Sequence, residues 1–169
     1  MSNSRAVGGV IAGAAFLGCV VAANWMTATF GLVPIGFGLL VTAGTFAAGL
    51  SLIARDWVQQ AAPRRWAVPV LIVAGALLSA GVAPAAIALA SGVAFLASEV
   101  VDWSVFTPLR ERSLPLAVVV SSLVAAPVDT LLFLQLAGFP VTVQAVAGQV
   151  LVKTGLALVV AALLKVRAR

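Results

Sequence analysis

Histidine and tyrosine are absent from this 169-residue sequence, and cysteine occurs once, as Cys19. Without histidine or a cysteine pair the usual zinc and haem ligand sets cannot be assembled, and most nucleophile–base arrangements disappear with them. No catalytic residue, metal or cofactor is therefore expected, and an enzyme is the least favoured class. One cysteine cannot frame a disulfide within the chain, and its apolar setting marks it as packing. Charge is scarce as well: five acids and ten bases give a net charge of +5. The bases fall in short clusters between apolar runs, as in the cytoplasmic loops of membrane proteins, so nucleic acid is not an expected partner.

What the sequence has instead is apolar length. Hydrophobic residues make up 63% of it and the mean hydropathy is +1.18, which excludes an ordinary soluble domain and places the chain in the membrane class. Six apolar runs are each long enough for a helix crossing a hydrocarbon layer of ~30 Å. They are Ala6–Ala23, Phe30–Ile53, Trp66–Val82, Ala85–Val101, Leu114–Ala137 and Val141–Leu164. The expected fold is all-α, a single six-helix transmembrane domain over residues 1–169 in contact with the lipid bilayer. The first run follows one Arg but is too long for a signal core, and similar runs follow it, so it reads as a retained span. Tight hairpins are expected at Gly81–Pro84 and Gly138–Pro140, where proline removes a donor and disfavours helix before it. Gly8, Gly9, Gly13, Gly44 and Gly49 point to closely packed helices.

Basic residues set the expected orientation. Arg5, Arg55, Arg64, Arg65, Arg110, Arg112, Lys165, Arg167 and Arg169 all flank the runs on one side, which predicts cytoplasmic termini by the positive-inside rule. Lys153 is the exception, because it falls within the last run. Glu99, Asp102 and Asp129 are likewise embedded in apolar sequence. A charge at bilayer depth costs several kcal/mol, so such groups face the protein interior, pair, or line a substrate path.

Glu99 and Asp102 are three apart and share a helix face. One reading pairs Asp102 with Arg110 or Arg112 in the following loop; the other makes both carboxylates part of a site. Ser122, Ala125, Ala126, Asp129 and Phe133 form one stripe, and Thr142, Ala145, Gln149, Lys153 and Leu156 form another. Counted from the hairpin between these runs, Asp129 and Gln149 are both roughly 12 Å deep and Lys153 roughly 18 Å, an offset a lysine stem covers. A buried ion pair holding two helices in register and a polar ligand site are both compatible with this spacing. Asn24, Gln135, Trp25 and Trp103 are candidates for an entry path, although Trp at such positions is commonly an interfacial anchor. Arg55, Asp56 and Gln59 end the second run, as a solvated rim or as a gate that pairs with the fourth.

At these residues the chain resembles the vitamin uptake transporter family, also called the queuosine precursor transporters. The resemblance rests on GLSLIARDWVQ (Gly49–Gln59), ASEVVDWSVFTPLRER (Ala97–Arg112), SSLVAAPVDTLLF (Ser121–Phe133) and GQVLVK (Gly148–Lys153), in consistent order over roughly residues 40 to 160. It implies a functional polar set of Arg55, Asp56, Gln59, Glu99, Asp102, Arg110, Ser121, Asp129, Gln149 and Lys153. The chain departs from the family in its minimal loops and in Phe106, where tyrosine or another aromatic is common.

What the resemblance implies is import of 7-cyano-7-deazaguanine or 7-aminomethyl-7-deazaguanine through the cytoplasmic (inner) membrane. A guanine-like edge offers two adjacent N–H donors to one carboxylate, and its carbonyl accepts from Lys or Gln. The expected substrate-binding residues are Glu99, Asp129, Gln149, Lys153, Ser122 and Asp102, with Arg55, Asp56, Gln59 and Arg110 as gate or rim. The alternative is the substrate-binding S-component of an energy-coupling-factor vitamin transporter, which needs partner subunits. A small proton-coupled exporter is a third reading. A homodimer fits a chain of this size.

Overall fold

The computed structural model describes residues 2–61 and 66–167. Six helices form in chain order, α1 (Ser2–Phe30), α2 (Thr45–Ala61), α3 (Ala67–Ser79), α4 (Ala85–Arg110), α5 (Leu114–Leu136) and α6 (Val143–Arg167), with a hairpin of β1 (Leu32–Gly36) and β2 (Leu39–Thr42) between α1 and α2. Four of them, α1, α4, α5 and α6, contain stretches long and apolar enough to cross a membrane. The 17-residue α2 and the 13-residue α3 are shorter than a straight helix needs to cross a ~30 Å layer.

The main departure from the expected bundle is the second apolar run, Phe30–Ile53, which is not one helix. Its local chemistry explains why. Gly31 takes a left-handed conformation (φ +61°) and its N–H closes on Thr27 O at 2.9 Å, ending α1. Gly36, Phe37 and Gly38 then all have positive φ, which turns the chain between the strands. Pro34 pairs with Leu40 in a two-stranded ribbon with a register shift beside it, a place where a residue lacking an N–H is tolerated. Phe37 at the tip is fully exposed. Helix resumes only at Thr45, so the residues left for α2 are too few for an independent span.

Irregular backbone inside such an apolar chain needs protein around it, and β2 finds this cover on α6. A Cβ at Gly148 would lie 2.2 Å from the Leu40 carbonyl oxygen, so only glycine lets the strand approach this closely.

The two expected tight turns are present. After α5, Gly138 is left-handed (φ +76°), Phe139 N–H reaches Leu134 O at 2.8 Å and Gly138 N–H reaches Gln135 O at 3.4 Å. This is a Schellman closure, completed by the Phe139 ring stacked on Phe133 at 6.3 Å. Thr142 then caps α6 by accepting from Ala145 N–H at 3.2 Å. Pro84 stands immediately before α4. α5 begins with Ser113, which accepts from Leu116 N–H, and carries Pro115 in its first turn, where its missing N–H is harmless.

Apolar packing closes the bundle at two levels. Ala12, Phe16 and Val20 of α1 pack with Ala54, Val58, Val68 and Ile72, and the Phe16 ring meets Phe95 edge-on at 5.7 Å. The second cluster joins Ile87, Ala90 and Ala94 of α4 to Phe133 beside the two tight turns. Large apolar side chains are exposed on every helix, a surface that water disfavours and hydrocarbon accepts.

Candidate functional site

Beside the apolar clusters the bundle buries a layer of polar groups. α2 supplies Arg55, whose Nη1 donates to Glu99 Oε2 at 2.8 Å and whose Nη2 lies 3.3 Å from Asp102 Oδ2. The i, i+3 spacing on α4 is what lets one guanidinium fork reach both carboxylates. All three side chains are at most 8% exposed. The reading in which Asp102 pairs with Arg110 or Arg112 is therefore overturned: α4 continues past Val101 to Arg110, carrying Arg110 to an exposed helix end, while Asp102 turns to α2. Pairing of the second apolar run with the fourth, the sharper of the two readings for Arg55, is what is seen.

The second cluster joins α5 to α6. Lys153 Nζ donates to Asp129 Oδ2 at 2.5 Å and to Thr130 Oγ1 at 3.0 Å, as the depth comparison across the hairpin anticipated. Ser98 Oγ on α4 is 3.5 Å from Asp129 Oδ1, at the limit of a hydrogen bond. Lys153 is 7% exposed and Asp129 19% exposed, and both border two hollows.

The first hollow, ≈ 440 Å³ of empty space including its open side, is bordered by Arg55, Ser98, Asp102, Ser122, Asp129 and Lys153 among apolar walls that include Phe95. The second, ≈ 370 Å³ on the same measure, lies on the hairpin side and is bordered by Asn24, Thr27, Thr42, Thr45, Ser91, Asp129, Gln149 and Lys153, with Phe95 and Phe133. Asp129, Lys153, Ala48 and Phe95 border both, so the ion pair stands at their junction. A third hollow, toward the far end of α6, is bordered by Arg55, Phe106 and Ser122.

Gln149 is the most informative member of the layer. It is 1% exposed, and its Nε2 has no hydrogen-bond partner among the described residues. A buried amide donor left unpaired costs about 1–3 kcal/mol, so its place beside a hollow is that of a group waiting for an acceptor. Thr154 Oγ1 is unpaired too, but it does not border these hollows.

The structure thus gathers Arg55, Asp102, Asp129, Ser122, Gln149 and Lys153 around two hollows that share part of their lining. Glu99 is held by Arg55 but does not border the three hollows described. Ser121 is buried and donates to Val118 O at 3.4 Å within its own helix. The side chains of Asp56 and Gln59 lie outside the described residues. Trp25 and Trp103 are 48% and 44% exposed and border none of the hollows, which agrees with anchoring, and Gln135 is exposed.

The hydroxyls of Thr27, Thr42, Thr45, Ser91 and Thr130 were not legible as site residues. Thr42 and Thr45 share a hydrogen bond of 2.9 Å at the junction of β2 and α2, and Gly44 N–H donates to Thr27 Oγ1 at 3.2 Å. The one available signal was the Thr42-Ala43-Gly44-Thr45 stretch itself, small and polar inside an apolar run. Asn24, which appeared among the entry candidates, is 2% exposed and donates to Ser79 Oγ at 2.8 Å.

Among the described residues no group of three or more His, Cys, Asp or Glu is arranged to hold a metal ion. Comparison with known proteins places the chain. No curated protein and no solved structure matches it. A family profile described as "putative vitamin uptake transporter" matches residues 15–166, a stretch that takes in the hairpin, both ionic clusters and Gln149. With multiple apolar helices around a polar interior and a match over nearly its whole length, this chain belongs to the vitamin uptake transporter family of multi-pass membrane proteins, transporters rather than enzymes.

Proposed function

We propose that the protein imports a queuosine precursor, 7-cyano-7-deazaguanine or its aminomethyl form, across the cytoplasmic membrane, with both termini on the cytoplasmic side. The observation that carries this reading is the unpaired, fully buried Nε2 of Gln149 beside the Asp129–Lys153 pair, at a hollow walled by Phe95 and Phe133. A 7-deazaguanine has the complementary chemistry: a flat ring for the aromatic walls, a carbonyl for the Gln149 amide and Lys153, and adjacent N–H donors for a carboxylate. Asp129 suits that last role better than Glu99, because it borders the space and Glu99 does not.

In this mechanism the ligand competes with Lys153 for Asp129. Loosening that pair uncouples α5 from α6, and the Arg55–Glu99–Asp102 cluster, which borders the way to the third hollow through Arg55, acts as the gate on the side of the termini. Alternation of access then amounts to opening one cluster while the other is closed.

Uptake of radiolabelled precursor by cells unable to synthesise it tests the proposal. Asp129→Ala and Gln149→Leu are expected to abolish most uptake. Normal uptake by both Asp129→Ala and Glu99→Ala rejects the assignment of the carboxylates. Uptake that stops when a separate ATPase is deleted moves the protein to the S-component class.

A further inference from the structure

Lys153 occupies the place that a coupling cation takes in a transporter built around a buried carboxylate. Its Nζ lies 2.5 Å from Asp129 Oδ2 and 3.0 Å from Thr130 Oγ1, and Ser98 Oγ stands 3.5 Å from the other carboxylate oxygen. Oxygens of this kind, set among apolar helices, are what secondary transporters use to bind Na⁺ or to carry a proton. Here an ammonium that is covalently part of α6 already engages them.

The other charges near Asp129 do not change this. Facing it across the first hollow are Arg55 of α2 and Asp102 of α4, and these two are paired with each other at 3.3 Å. At the second hollow, α1 presents Asn24 and Thr27, α2 presents Thr45 and α6 presents Gln149, all neutral. Asp129 and Lys153 are the only charged side chains bordering that hollow among the described residues.

A buried carboxylate without a counter-charge is strongly unfavourable. A carrier that relied on an external cation at Asp129 would pass through that state whenever the cation left. Lys153 removes the requirement. An ammonium displaced by a ligand stays on its four-carbon stem within the same layer, so with an uncharged ligand the layer carries the same charge in the empty and the loaded protein.

The geometry points to Lys153 as a tethered counter-cation that frees transport from Na⁺ and from protonation of Asp129, so that an uncharged ligand crosses down its own gradient with no charge moving beside it. The inference rests on the uptake reading and adds how uptake is driven. Net import then depends on a reaction inside the cell that consumes the imported compound.

One arm of the test needs no substrate. Melting of the purified full-length protein is measured in NaCl and in N-methylglucamine chloride of equal ionic strength. The wild type is expected to melt at the same temperature in both. Lys153→Ala leaves Asp129 without its ammonium and is expected to melt lower in N-methylglucamine and to be raised by Na⁺ or by acidification, a rise absent from Asp129→Asn/Lys153→Ala.

The second arm is uptake of labelled 7-cyano-7-deazaguanine, a probe without net charge, into vesicles carrying the wild-type protein. Imposing a Na⁺ gradient, a proton gradient or a potential of about 100 mV is expected to shift steady-state accumulation by less than about 2-fold, against the roughly 50-fold bias that one co-transported charge would give. This arm decides the matter where Lys153→Ala does not fold.

Wild-type accumulation that follows either gradient or the potential overturns the tethered cation. So does a Lys153→Ala protein whose melting is as indifferent to Na⁺ and acid as that of the double variant. No uptake of the precursor, with the melting pattern as expected, overturns the uptake reading and leaves Lys153 in this role.

Discussion

Arg55 faces two carboxylates presented by a single helix, whereas Lys153 faces one carboxylate and one hydroxyl on the neighbouring helix, at the edge of two hollows. Every side chain of the first cluster is at most 8% exposed, although Arg55 and Asp102 border the first hollow; in the second, Asp129 is 19% exposed. The first joins segments 44 residues apart in sequence, the second segments 24 apart across one tight turn. Buried charges of the same general kind thus serve different ends. A guanidinium fork bridging two acids is demanding in geometry and leaves much behind when broken, which suits a latch. A single ammonium on a flexible stem is easily displaced, which suits a site where a ligand competes.

The comparison is broken or sharpened most strongly at Arg55. Arg55→Met removes the guanidinium that bridges two buried carboxylates, and a loss of about 3–5 kcal/mol is expected, read as a large fall in the melting temperature of the purified protein. Adding Glu99→Gln and Asp102→Asn to that variant is expected to recover most of the loss. A wild-type melting curve for Arg55→Met would show that the first cluster is no latch.

Gly148→Val probes whether backbone fit, rather than charge, holds the second cluster's surroundings in place. With the Leu40 carbonyl oxygen only 2.2 Å from where a Cβ would sit, the hairpin must move, at a cost of about 1–3 kcal/mol. Ligand binding is expected to weaken along with the melting temperature. Thr142→Ala, which removes the cap of α6 below that cluster, is expected to lower stability by about 1 kcal/mol in the same assay with selectivity unchanged.

The smallest stability effect belongs to Asp129→Asn/Lys153→Gln. Replacing both members of a buried pair with neutral groups of similar shape is often close to neutral, so a melting curve within about 1 kcal/mol of wild type is expected. Uptake by the same variant is expected to fall well below half. Uptake at the wild-type level would make the second cluster as structural as the first.

Much of the α4–α6 half was legible because its signals are local. Gly138 and Pro140 stand at the turn, Ser113 and Thr142 at the caps, and Asp129 and Lys153 at matching depths on helices joined by a short turn, so rise per residue alone foretold their meeting. The first half was harder to read. Phe30–Ile53 is as apolar as a span, and hydropathy does not distinguish a buried hairpin from a helix; the clustered Gly31, Pro34, Gly36 and Gly38 carried that information, but the shelter α6 gives β2 was not visible. Asp102 had basic residues on offer in the following loop and meets the distant Arg55 instead. Gln149 was legible as a site residue, while its lack of a partner was not.

Composition and order alone determined that this chain lives among apolar surroundings, where its tight turns fall, and that its embedded charges must find one another, because hydrophobic length and the cost of an isolated ion are properties of the segment itself. Tertiary structure decided which acid meets which base, which apolar run yields a hairpin, and which amide is left waiting beside open space. Those outcomes depend on the distance between groups far apart in sequence, and an ion or hydrogen bond a few ångströms long is settled only when the helices carrying its two ends have packed.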